Sequence, residues 1–136
     1  MDDLAPNERK ICKDLTEKMI ARRICKPFDH PINEVDENVP DYYQMIKNPM
    51  DLGTVSRKLN NKMYRKVSEW IDDVETIWIN ALKFNEEGTP YHLIALEMQC
   101  WFRRQIAKQA WNNKTGITDI KDSIDVLLEH INNRSG

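Results

Sequence analysis

Asn85 falls where an apolar side chain is expected. Stepping back from it by 4, 3, 4 and 3 positions gives Ala81, Trp78, Val74 and Ile71, which share one face of a helix. A primary amide therefore ends a stripe that should be buried. In an apolar setting it supplies a donor and an acceptor, the two groups needed to grip another amide. The same side chain could instead cap the helix C-terminus or bond the loop Glu86-Glu87-Gly88, and the residues alone leave both readings open. Other chemistry is not written here. The patterns of a nucleophile elbow, a phosphate loop, His-Glu-x-x-His and an EF-hand loop do not occur, so no catalytic residues are expected. His30, His92 and His130 are scattered, and Cys12, Cys25 and Cys100 contain no C-x-x-C spacing, so neither a metal nor a cofactor is expected. Three cysteines leave one unpaired in any disulfide scheme, which points to a reducing compartment. Cys12 and Cys100 fall in apolar helical registers and read as buried thiols.

The elements that would position Asn85 are helical. A first helix is predicted from Pro6 to Ile24, with Ile11, Leu15 and Met19 four apart and Lys26-Pro27 ending it. Lys26 to Met50 is a long irregular stretch carrying Pro27, Pro31, Pro40 and Pro49. It also holds Phe28, Ile32, Val35, Val39, Tyr42, Tyr43, Met45 and Ile46, too apolar for a linker, so a packed loop that builds a site is expected. A short helix follows over 51–60, with Leu52, Val55 and Leu59 spaced for one face. The next starts at Ser68 as N-cap and leads to Asn85, and the last starts at Thr89-Pro90. Tyr43, Trp70 and Trp78 read as core or half-core aromatics.

Length and charge bound the rest. The chain has 136 residues, 40% hydrophobic and 31% charged, which suits one globular domain. No run of about 18 apolar residues occurs, so no membrane span is expected. Met1-Asp2-Asp3-Leu4 lacks a basic start and apolar core, so no secretory signal is expected either. Twenty basic and 22 acidic residues, net −2, argue against direct nucleic-acid binding.

The run Pro40-Asp41-Tyr42-Tyr43-Gln44-Met45-Ile46-Lys47-Asn48-Pro49-Met50-Asp51-Leu52-Gly53-Thr54-Val55, with Pro27-Phe28 upstream and Asn80-Ala81-Leu82-Lys83-Phe84-Asn85 downstream, resembles the bromodomain family. The resemblance implies an all-α, left-handed four-helix bundle over 6–110, with a long loop between its first two helices. The pocket it implies takes acetylated lysine. Asn85 would bond the acetyl carbonyl, and Tyr42 would reach it through an ordered water. Pro27 and Phe28 would form a shelf, with Phe28 near the methyl; Ile32 and Val39 would line the walls, Phe84 would stand before Asn85, and Tyr91 would act as gatekeeper. Lys26, Glu37, Glu86 and Glu87 would form the rim. Three of these positions depart from the usual pattern: Lys26 replaces a tryptophan, Phe84 a tyrosine, and Glu37 a leucine. The function implied is non-catalytic reading of acetyl-lysine, with histone tails as partners and the nucleus as location. The alternative is a helical scaffold or dimerisation module with a degenerate pocket.

Charge supports a basic partner. Between Lys26 and Gly53 six acids stand against two bases, so a basic peptide would be attracted. Beyond the resemblance, the extension 111–136 carries Ile117, Ile120, Ile124, Leu127 and Ile131 at spacings of 3, 4, 3 and 4. This predicts an extra amphipathic helix over 118–131. It would pack on the bundle or serve a homodimer or partner seam.

Overall fold

The computed structural model describes residues 4–109. The expected helix over 118–131, and the extension that contains it, lie outside the described residues. Helices and turns make up the described chain, with no strand among the described residues. Helix α1 spans Pro6–Ala21, and a 3₁₀ segment follows over Arg23–Phe28. A single turn, α2, covers Tyr42–Met45. Then come α3 over Leu52–Asn60, α4 over Val67–Phe84 and α5 over Pro90–Lys108. Helix α4 packs along α5, α1 packs along α3, and both α1 and α3 touch α4.

The core follows from the periodicity. Ile71, Val74 and Trp78 are fully buried and Ala81 nearly so, as the stripe ending at Asn85 requires. Leu15 and Met19 from α1, Leu52, Val55 and Leu59 from α3, and Met98 and Phe102 from α5 close over them. Burying each such side chain contributes roughly 1.5–3 kcal/mol. Two polar ties cross this core. The Trp70 indole N–H donates to Thr16 Oγ1 at 3.0 Å, joining α4 to α1. Buried Glu75 accepts from Gln99 at 2.7 Å and from the Arg103 guanidinium, joining α4 to α5. Burial pushes the Glu75 carboxyl up, and Arg103 pulls against that shift.

Several boundaries differ from the sequence reading. Helix α1 stops at Ala21, three residues before the expected Ile24, because Arg22 turns extended at φ −77°, ψ 126°. The 3₁₀ segment then runs through Pro27. With three residues per turn, it sends both Cys25 and Phe28 inward. Ser68 is not an N-cap. Helix α4 starts at Val67, and Glu69 serves its first turn by accepting the backbone N–H of Arg65 at 2.6 Å. Thr89 does stand before Pro90, but its hydroxyl donates to the Glu86 carbonyl at 2.6 Å rather than capping α5. Cys12 is buried as expected, whereas Cys100 is exposed. It lies two residues past Met98, about 200° round the helix and away from α4. Leu93, at 55% exposure, also faces outward. Trp70 and Trp78 are core residues; Tyr43 is a surface one, held by donating its hydroxyl to the Ile32 carbonyl at 2.6 Å.

The long stretch between the 3₁₀ segment and α3 is a packed loop, as its apolar content implied. Asn33 Oδ1 accepts the N–H groups of Val35 and Asp36 at 3.1 and 3.0 Å, which closes a local turn. Glu34 accepts the Tyr43 N–H at 2.9 Å, and Asn38 takes the left-handed conformation at φ 55°. The far end is fixed by buried Asn80 of α4, whose amide donates to the Asn48 carbonyl at 2.8 Å. Asp51 then caps α3, accepting the Thr54 N–H at 2.9 Å and the Thr54 hydroxyl at 2.6 Å.

Candidate functional site

The loop, the C-terminal end of α4 and the N-terminal end of α5 enclose a cavity of about 370 Å³. Its wall contains Pro27, Phe28, Ile32, Val39, Tyr42, Phe84, Asn85 and Tyr91, all of which the sequence reading singled out. Of the expected rim, Glu37 lies in the wall. Lys26, Glu86 and Glu87 are exposed and do not line the cavity. The 3₁₀ turn explains Lys26: it sits on the opposite side from Cys25 and Phe28. His30, Asp36, Met50, Asp51, Ile77 and Ala81 also line the cavity and were not marked as site residues. Ile77 and Ala81 could have been found, since they precede Asn85 by eight and four positions on one helix face. Nothing in the sequence pattern marked His30.

Asn85 is half-buried at the C-cap of α4. Its Nδ2 donates to the Ala81 carbonyl at 3.0 Å, and its backbone N–H donates to the same carbonyl at 3.0 Å. Capping and facing the cavity are therefore compatible roles, and the capping bond fixes the plane of the amide.

Aromatic contacts hold the walls. Phe28 packs edge-on against Trp78 below it, at 5.5 Å between ring centroids, and against Tyr91 across the mouth, at 6.0 Å. Tyr42 is wedged between Tyr43 at 5.1 Å and Phe84 at 4.9 Å. Such pairs contribute roughly 0.5–1.5 kcal/mol each beyond the area they bury. Burial pushes the Tyr42 phenol up to about 12, with smaller contributions from Tyr43, Glu37 and Asp51, so it keeps its proton and remains a donor. Tyr91 is 47% exposed and stands at the entrance.

One side of the wall is polar. Asp51 is occupied by Thr54, as described above. His30 Nδ1 lies 2.7 Å from Asp29 Oδ1, and His30 Nε2 lies 3.5 Å from Glu37 Oε2. Glu37 also accepts the Asn33 N–H at 3.0 Å. The His30 pKa is raised, first by the Asp29 hydrogen bond and then by Glu37, against the opposing effect of burial. No group of three metal-ligating side chains occurs among the described residues, and no helix there is long and apolar enough to cross a membrane.

The helical order, the loop and the cavity are those of a bromodomain. A family model described as Bromodomain matches residues 12–97. Schizosaccharomyces pombe has a bromodomain-containing protein that is 32% identical over 123 residues, covering 84% of this chain and 16% of that protein. The SWR1 complex bromodomain subunit bdf1 of the same yeast is 31% identical, over 76% of this chain and 18% of its own length. The chain thus spans under a fifth of these relatives. The second bromodomain of Candida albicans Bdf1, solved bound to an imidazopyridine, superposes with a TM-score of 0.72. It is 28% identical, with 75% of this chain and 99% of that one covered. The chain belongs to the bromodomain family.

Proposed function

We propose that this chain is a non-catalytic reader of N-acetylated lysine, presented mainly on histone tails, and that it serves chromatin and transcription regulation in the nucleus. One observation carries the reading: a half-buried amide, Asn85, held in a fixed plane on the wall of a largely apolar cavity. Its Nδ2 has two N–H groups. One is engaged by Ala81, and the other serves the acetyl carbonyl. The protonated Tyr42 phenol reaches that carbonyl through a water. Pro27 and Phe28 flank the methyl, Ile32 and Val39 hold the lysine stem, and Phe84 and Tyr91 close the sides.

Acetylation turns a lysine ammonium into a neutral amide on an apolar stem. The neutral form enters such a cavity cheaply, whereas an ammonium loses its hydration unless a carboxylate receives it. One direct hydrogen bond contributes about 0.5–1.5 kcal/mol, so a single mark binds in roughly the micromolar to millimolar range. The acidic loop favours basic sequences around the mark and disfavours nucleic acid. An array of histone-derived peptides, acetylated and unmodified, tests this. Acetyl-dependent signal on basic peptides is expected. Equal or no signal on both sets would leave the chain a helical scaffold.

A further inference from the structure

The acidic side of the cavity works against the discrimination just described. Asp36 and Glu37 line the wall, and no lysine or arginine does. A bare carboxylate there would give an unmodified lysine the partner that makes its burial tolerable. His30 lines the same cavity and pairs with this acidic side. Its two ring nitrogens each face a carboxylate, Asp29 at 2.7 Å and Glu37 at 3.5 Å. A neutral imidazole has one N–H and one lone pair, so it can satisfy only one of the two, and the other contact becomes repulsive. The imidazolium donates to Asp29 and pairs electrostatically with Glu37. The geometry is therefore that of a cation shared by two acids.

The charged and titratable groups facing His30 are Asp29 and Glu37. Further round the cavity are Asp36, Asp51 and the phenols of Tyr42 and Tyr91. Asp51 is taken by Thr54 of α3. No opposing cation comes from α4 or α5, since neither contributes a lysine or arginine to the wall. The backbone that holds His30 is itself pinned. The Asp29 carbonyl lies so close to Gly53 of α3 that a Cβ there would meet it at 2.6 Å.

We propose that His30, as an imidazolium bridging Asp29 and Glu37, is a specificity-determining residue that denies Glu37 to the ammonium of unmodified lysine. This rests on the acetyl-lysine reading above. It gives discrimination a pH dependence that the pocket's neutral ligand would not have by itself. While His30 is protonated, Glu37 is occupied and the neutral acetyl-lysine is preferred. As pH rises through the His30 pKa, which the Asp29 hydrogen bond raises, Glu37 loses its cation and keeps only the Asn33 N–H, and lysine, still charged, gains a partner.

The test is the ratio of affinities for one peptide in acetylated and unmodified form, measured by NMR titration between about pH 6 and pH 9. Charges flanking the mark cancel in this ratio. For the natural chain it should fall with rising pH by roughly twofold to fivefold, the range of a partly exposed ion pair. His30→Gln should give the low ratio at every pH. Adding Glu37→Gln to it should raise the ratio again, because the one carboxylate that His30 pairs within the wall is gone, whereas Asp36 acts alike in every variant. His30→Arg, which keeps the cation, should hold the ratio high and make it independent of pH. If His30→Gln weakens both peptides equally, His30 only orders the loop and the proposal is wrong. If the natural chain ignores acetylation at every pH, the acetyl-lysine reading itself fails.

Discussion

Gly53→Ala sets two physical effects against each other. Gly53 lies in the first turn of α3, where helix propensity alone favours alanine by about 1 kcal/mol. The structure opposes this. The new Cβ would lie 2.6 Å from the Asp29 carbonyl oxygen and 3.1 Å from Asp51 Oδ2. An unstrained carbon–oxygen approach is about 3.3 Å or more, so the Asp29 backbone must retreat by roughly 0.7 Å. Overpacking of this kind costs about 1–3 kcal/mol. The net is a loss of about 1 kcal/mol, a fall of several degrees in Tm. The retreat carries Phe28 and His30 with it, since they flank Asp29 and line the cavity. Affinity for an acetylated peptide should therefore drop as well. Thermal melting and calorimetric titration of the variant check both. A raised Tm with unchanged affinity would show that Asp29 is not packed against α3.

Three further outcomes are expected. Tyr42→Phe removes one mediated hydrogen bond, so acetyl-peptide affinity should fall about two- to tenfold in calorimetry with little change in Tm. Replacing Glu37, Glu86 and Glu87 together by Gln should slow association with basic acetylated peptides and flatten its salt dependence in stopped-flow measurements; steering is absent if the natural chain associates equally fast at low and high salt. Truncation after Asn113 should lower the Tm if the apolar stripe Ile117 to Ile131 packs on its own bundle. A change in mass by light scattering would instead assign it to a dimer.

What the sequence made legible was whatever periodicity and side-chain type could encode. The stripe from Ile71 to Ala81 identified α4, its core face and the anomaly of Asn85. The aromatic and apolar content of 27–46 distinguished a packed loop from a linker. Other features depend on backbone direction, which periodicity does not carry. Cys25 and Phe28 turn inward because the chain tightens from α-helix to 3₁₀ after Arg22, and the same turn sends Lys26 outward. Cys100 and Leu93 share a helix with buried neighbours but lie on its outer side. Tyr43 read as core or half-core because it is aromatic, yet its hydroxyl serves the loop backbone at the surface. His30 gave no sign at all: its partners Asp29 and Glu37 gain meaning only once the loop folds them around one ring.

The proposed reading turns on one group, the amide of Asn85, as the partner of an acetylated lysine. Calorimetric titration of one histone-derived peptide, acetylated and unmodified, into the natural chain and into Asn85→Ala tests it most directly. Saturable binding of the acetylated peptide to the natural chain is expected, with much weaker binding of the unmodified one. Neither should bind measurably to the variant, whose circular dichroism and Tm should stay close to those of the natural chain. Equal affinity of the acetylated peptide for a folded Asn85→Ala protein would contradict this reading.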